Sequence, residues 1–192
     1  MDEQAPYEDI KGRRVTFKSK VLLVSIFLCL HTQINDVHGQ RSDDLSSREE
    51  FAKPKVLRFE FTDIARTRHT SKDMSGKVIV IDCWASWCMP CQKALPELSA
   101  IKHKYRDRVA ILGISFDESV ETLKNYLEDD DVGKGVDYPI VFGPHLAKFW
   151  DDVKVLPTIF LVDKGGHLRC RYRGYTPSPQ LEKDIDKLLA EN

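Results

Sequence analysis

The chain divides into segments with two different spacings of apolar residues. Val78-Ile79-Val80-Ile81 is a continuous apolar run, typical of a strand buried on both faces, and Ser75-Gly76-Lys77 before it reads as a turn. Leu95, Leu98, Ile101 and Tyr105 then recur at helical spacing. Val109 to Ile114 is a second buried strand. Val120, Leu123 and Leu127 mark a second helix that ends in the acidic run Glu128-Asp129-Asp130-Asp131. That run reads as a solvated helix end and requires no metal. Further on, Tyr138 to Phe142 predicts a short strand, Leu146, Phe149 and Trp150 a short helix, and Thr158 to Val162 another strand. Asp163-Lys164-Gly165-Gly166 is a hairpin turn into Leu168, Cys170 and Tyr172, which alternate with Arg169, Arg171 and Arg173. Leu181, Ile185, Leu188 and Leu189 form the apolar face of a last helix. Before all of these, Val56, Phe59 and Phe61 suggest a short edge strand.

Strands alternating with helices, closed by a hairpin and a helix, predict an α/β fold: a mixed central sheet with helices on both faces. The strands 158–162 and 167–173 share a tight turn and must be antiparallel, whereas the earlier crossovers favour parallel pairing.

The N-terminal segment has a different pattern. Lys11, Arg13, Arg14, Lys18 and Lys20 precede an apolar run from Val21 to Leu30 broken only by Ser25. As a helix it would reach about 15 Å, roughly half a bilayer's hydrocarbon core. That length suits the apolar region of a signal peptide rather than a stable span. Val37-His38-Gly39 places small or permissive residues before a cleavage point after Gly39. Residues 1–39 are therefore expected to be a signal peptide and the protein to be exported, periplasmic or otherwise extracytoplasmic. Only an uncleaved segment would leave it anchored in a membrane. The polar stretch 40–54 reads as a flexible linker, and 55–192 as the folded domain.

The full chain has 192 residues, with 29 Lys+Arg against 30 Asp+Glu. This near-neutral balance lacks the basic excess expected of a nucleic-acid-binding protein. Removing 1–39 takes five residues of each sign and leaves the balance unchanged. Of the five cysteines, Cys29 would leave with the signal.

Two of the others carry the candidate chemistry. Trp87-Cys88-Met89-Pro90-Cys91 lies between the first buried strand and its helix. Cysteines two residues apart at a helix start can join without distorting the backbone. The unpaired N–H groups and the helix dipole there favour a thiolate at the first. A thiolate attacks disulfides and a second thiol resolves the mixed disulfide. Pro90 has no N–H to lose in a first helical turn and stiffens the loop. Zinc sites use the same spacing but want a second such pair, and the sequence has none.

Asp82-Cys83-Trp84-Ala85-Ser86-Trp87-Cys88-Met89-Pro90-Cys91, followed by Pro96, resembles the active-site segment of the thioredoxin superfamily. The Ser75-Gly76-Lys77 lead-in, an additional segment around 128–150, Val155-Leu156-Pro157-Thr158 and the Asp163-x-x-Gly166 turn resemble its TlpA/ResA-like extracytoplasmic branch. The resemblance covers roughly 56–191 and implies a thioredoxin fold and a thiol–disulfide oxidoreductase that reduces protein disulfides. It implies Cys88 as nucleophile, Cys91 as resolving thiol, Pro157 as a cis-proline facing the disulfide, and Leu156 offering backbone hydrogen bonds to a bound peptide. Pro96 would kink the active-site helix. Asp82 matches a buried acid that could relay a proton to Cys91. Trp87 is the candidate for substrate contact and Trp84 for packing. The partners implied are protein disulfides or dithiols and an upstream membrane electron donor. No cofactor and a monomer are expected.

Two positions depart from the branch. Cytochrome-maturation members often carry Glu three residues after the second cysteine, where this chain has Ala94, which argues against apocytochrome reduction. The lysine that partners the buried acid in many thioredoxins has no counterpart in Val109–Ile114. A peroxiredoxin, the remoter alternative, would want Thr and Pro at the third and seventh positions before its cysteine, where Cys88 has Ala85 and Ile81. A copper-handling reading would use Cys88 and Cys91, with His145 as a third ligand. Cys83 and Cys170 read as buried apolar residues, although an oxidising compartment would permit a disulfide between them. His69, His103, His145 and His167 fit no ligand spacing and read as surface or loop residues.

Overall fold

The structure, a computed structural model, describes residues 47–129, 135–143 and 153–191. The expected signal peptide, the stretch 40–46 and the helix expected at Leu146–Trp150 lie outside the described residues. The strands are β1 (Ser47–Val56), β2 (Glu60–Thr62), β3 (Arg68–Thr70), β4 (Val78–Trp84), β5 (Val109–Ser115), β6 (Ile140–Phe142), β7 (Thr158–Val162) and β8 (His167–Arg173). The helices are α1 (Met89–Tyr105), α2 (Val120–Glu128) and α3 (Ser178–Ala190). Six strands form one sheet in the order β1-β8-β7-β4-β5-β6, and β2 and β3 form a separate antiparallel pair. β4 pairs parallel with β5 and β5 parallel with β6, while β7 pairs antiparallel with both β4 and β8. The sheet is mixed, as the hairpin and crossovers require.

Every residue of β4 is buried, and its side chains alternate between two apolar clusters. Val78, Val80 and Trp84 join the cluster that contains Cys88, Cys91, Leu95, Leu98 and Ile101 of the CxxC segment and α1, Leu123 of α2, and Leu181, Ile185 and Leu188 of α3. Ile79, Ile81 and Cys83 join the other, which Leu57, Phe59, Phe61 and Met74 cover. Phe59 and Phe61 stack there with centroids 5.1 Å apart.

Several boundaries differ from expectation, the largest difference at the start of the domain. The linker expected through Pro54 ends by Ser47, because β1 adds to the free edge of β8, with Glu49 opposite Arg171. Charge rather than apolar burial holds this strand: Glu49 Oε2 accepts from Arg171 Nη2 at 2.6 Å and from Arg173 Nη1 at 2.9 Å, and Arg48 Nε reaches Asp184 of α3 at 2.8 Å. A strand secured by ion pairs reads as polar linker in a hydrophobic pattern. It also covers Arg171, which alternation alone would place in solvent; Arg171 is buried, with its guanidinium 5.7 Å from the Phe51 ring. The strand expected around Val56–Phe61 is shorter than its pattern suggested: Val56 ends β1 and Phe61 lies in β2.

Candidate redox site

β4 delivers the chain through Ala85-Ser86-Trp87 to the N-terminus of α1, where Cys88 occupies the cap position. Its φ of -89° and ψ of 98° are extended, and no side chain caps the helix. No acidic residue stands in the first turn, so the positive end of the helix dipole at Cys88 is not offset there, and a helix N-terminus favours a thiolate. Pro90 sits in that first turn. Cys88 and Cys91 form a disulfide, S–S 2.04 Å. Both residues are buried, Cys91 completely and Cys88 with 6% exposure, so Cys88 is the one nearer the surface.

The loop before Cys88 is tied down by a residue the sequence did not single out. Asp117, fully buried just beyond β5, accepts from Ser86 N at 3.0 Å, Ser86 Oγ at 2.6 Å and Ser115 Oγ at 2.7 Å. Gln92 Nε2 donates to the Ser86 carbonyl at 2.6 Å, closing the loop against α1. A usable signal did exist. Ser115 and Asp117 stand at the carboxyl end of a buried parallel strand, where open α/β sheets place their sites.

Asp82 lies fully buried in β4, on the side of the sheet that holds Cys91 and α1. Burial pushes its carboxyl up to about 7. A carboxyl with that affinity can take or give a proton near neutral pH.

β7 runs antiparallel to β4 with Thr158 opposite Cys83, so Leu156 and Pro157 come in beside the end of β4 and the CxxC loop. The Leu156–Pro157 peptide is cis. The Pro157 carbonyl accepts from Gly174 N at 2.8 Å, and the Val155 carbonyl accepts from Thr158 Oγ1 at 2.6 Å. Leu156 is half-buried, and Val155 beside it is exposed. On the other side of the disulfide Trp87 is 63% exposed and Met89 75%, whereas Trp84 is wholly buried against Tyr126. Pro96 lies inside a helix that is continuous across it. Trp84 is therefore part of the core while Trp87 is exposed, and the buried disulfide has the exposed apolar side chains Trp87 and Met89 next to it in the chain.

The histidines, read from the sequence as surface or loop residues, lie away from the disulfide wherever they are described. A cavity of about 590 Å³ is lined by Lys77, Lys102, His103 and Arg106 among others, at the opposite ends of β4 and β5 from the disulfide. His69 contacts Asp63, His103 contacts Asp137 and His167 contacts Asp163, each at 3.2 Å or less. Among the described residues no three potential ligands form a metal-holding group, and His145 lies outside them. Cys83 and Cys170 are both free and buried, in opposite clusters across the sheet.

A thioredoxin-like family model matches residues 76–168, which include the whole site. Among curated proteins, the thiol-disulfide oxidoreductase ResA of Bacillus thuringiensis subsp. konkukian is 29% identical over 133 residues, covering 68% of this chain and 74% of its own. ResA of Bacillus subtilis is 29% identical over 159 residues, covering 81% and 83%. Among solved structures, a candidate DsbE thiol:disulfide interchange protein of Chlorobium tepidum superposes with a TM-score of 0.62 at 25% identity, over 71% of this chain and 96% of that one. Matched segment, relatives and fold agree with the geometry of the Cys88–Cys91 pair: the chain has a thioredoxin fold, carries a thioredoxin-like domain over residues 76–168, and is similar to thiol-disulfide oxidoreductases.

Proposed function

We propose that the protein is an exported thiol–disulfide oxidoreductase that reduces protein disulfides through Cys88 and Cys91. The observation that carries this reading is the Cys88–Cys91 disulfide at the start of α1, with Cys88 at the helix cap and Cys91 wholly buried. In the reduced protein the Cys88 thiolate attacks a substrate disulfide, forming a mixed disulfide and releasing one substrate thiol. Cys91 gives up its proton and attacks Cys88 Sγ, which frees the second substrate thiol and leaves the Cys88–Cys91 disulfide. Asp82 is the group suited to take the Cys91 proton. Two electrons pass to the substrate, so a dithiol donor must reduce the pair before the next turnover. A membrane-bound donor fits an exported protein.

Trp87 next to Cys88, and Leu156 and Pro157 beside the end of β4, are assigned to substrate contact. Exposed apolar side chains suit a flexible polypeptide better than a small enclosed ligand. Export rests on the basic segment and short apolar run ahead of the domain, with cleavage after Gly39.

Trapping tests the reading. Cys91→Ser should accumulate mixed disulfides with partner proteins at Cys88, and Cys88→Ser should lose insulin-disulfide reduction to the uncatalysed background. Full activity in Cys88→Ser, with no partner trapped by Cys91→Ser, would overturn it. Cell fractionation with N-terminal sequencing of the mature protein checks export and the Gly39 cleavage point.

A further inference from the structure

Behind the redox pair, on the α1 side of the sheet, lies a group of buried polar atoms that have no protein hydrogen-bond partner. They are both carboxyl oxygens of Asp82, Trp84 Nε1, and the hydroxyls of Tyr126 and Tyr138. Three of these residues, Asp82, Trp84 and Tyr138, meet at Gly113. It stands directly opposite Asp82 across the β4–β5 ladder, so the two residues share a face. A Cβ at position 113 would lie 3.1 Å from Trp84 Nε1, 3.2 Å from Tyr138 Cε2 and 2.4 Å from Ile140 Cδ1. The missing side chain lets Tyr138 and Trp84 close over the strand next to the carboxyl. Tyr126 of α2 completes the group, its ring 5.6 Å from that of Trp84. Tyr138 is 5% exposed. Buried polar atoms are costly unless paired, and a polar recess with several donors and acceptors is where an internal water is held.

We propose that Tyr138 is a positioning residue for the Asp82 proton step, its hydroxyl donating through a water held over Gly113 to the Asp82 carboxylate. The inference rests on the oxidoreductase reading for its functional meaning, since Asp82 matters there as proton acceptor for Cys91. The groups facing this recess are Cys91 and α1 from one side, Tyr126 from α2, and Tyr138 from the segment entering β6. The β7 neighbour of Asp82 is Ile159, which does not titrate. Cys83 adjoins Asp82 in β4 but its side chain belongs to the opposite cluster. Asp117 and Asp129 act electrostatically on Tyr126, and Asp82 and Asp137 on Tyr138. Burial, and then the Asp82 charge, hold the Tyr138 phenol well above its ordinary value. Tyr138 therefore remains protonated, and a donor, while Asp82 titrates. A hydrogen bond donated to the carboxylate favours its charged form. Removing the hydroxyl should therefore raise the proton affinity of Asp82 further.

The test is a carbon-13 NMR titration of Asp82 Cγ in the full chain, oxidised and reduced. In Tyr138→Phe the midpoint should rise by about one pH unit, a tenfold change in the ratio of the two forms. The pH profile of mixed-disulfide release by Cys91 should move with it. If Tyr138→Phe does not fold, the Tyr138 Cζ signal of the otherwise unaltered protein reports the same contact. It should shift with the Asp82 midpoint and stay flat across that range in Asp82→Asn. An unchanged Asp82 midpoint in folded Tyr138→Phe, or a Tyr138 signal that ignores the Asp82 titration, would overturn the proposal. The NMR readouts do not depend on turnover. A protein whose Cys88→Ser form keeps full activity would sink the oxidoreductase reading and leave the contact itself to be judged separately.

Discussion

Asp82 is the residue whose chemistry and stability pull in opposite directions. Its folded carboxyl titrates near 7, while the unfolded chain releases the same proton at about 4. Between those values the folded state binds more protons, so stability falls as pH rises and levels off above about 7. Asp82→Asn removes this slope. The variant should match wild type near pH 4 and exceed it above pH 7 by something on the order of 4 kcal/mol, read from urea unfolding at several pH values. Equal stability of the two proteins across that range would show that the carboxyl is not desolvated. The same substitution should slow resolution by Cys91 at neutral pH, which separates the functional cost from the stability gain.

At the scale of elements, the loop between β4 and α1 depends on a partner from another strand. Asp117→Ala would strip the Ser86 N–H, the Ser86 hydroxyl and the Ser115 hydroxyl of their acceptor in a buried setting. The expected cost is about 2–4 kcal/mol in denaturant unfolding. Disulfide exchange should slow as well, because the same bonds hold the chain that presents Cys88. Gly113 sets a second constraint between β5 and its neighbours. Gly113→Ala would drive a methyl group into Ile140 and against Trp84 and Tyr138, and should destabilise by about 1–3 kcal/mol in the same assay. The regular elements themselves were largely legible in the sequence. Thr158–Val162 and the turn at Asp163–Gly166 follow from an apolar run and turn chemistry, and appear in the structure at those residues. β1 was not legible, because Glu49 and Arg48 secure it through ion pairs to residues more than a hundred positions away.

The whole molecule places its chemistry at one end of the sheet and its spare cysteines inside. Cys88 and Cys91 sit at the carboxyl end of β4, and Cys83 and Cys170 are buried in different clusters on opposite faces. A disulfide between the latter two would have to pass through the sheet. Differential alkylation of the oxidised protein followed by mass spectrometry should therefore label Cys83 and Cys170 only after denaturation, each as a free thiol. A Cys83–Cys170 crosslinked peptide would contradict the arrangement of the two faces.

Local pattern was sufficient for the order of elements, the hairpin, the CxxC pair and its place at a helix start, because each depends on residues close together in the chain. The buried acid at Asp82 was visible only through the resemblance of its segment to the thioredoxin active site. Only the tertiary structure decided which partners surround that acid, that Cys91 is wholly buried, and that Asp117 holds the active-site loop. It also decided that a charged stretch completes the sheet. These features depend on strand register and burial, which bring together residues that no spacing along the chain relates.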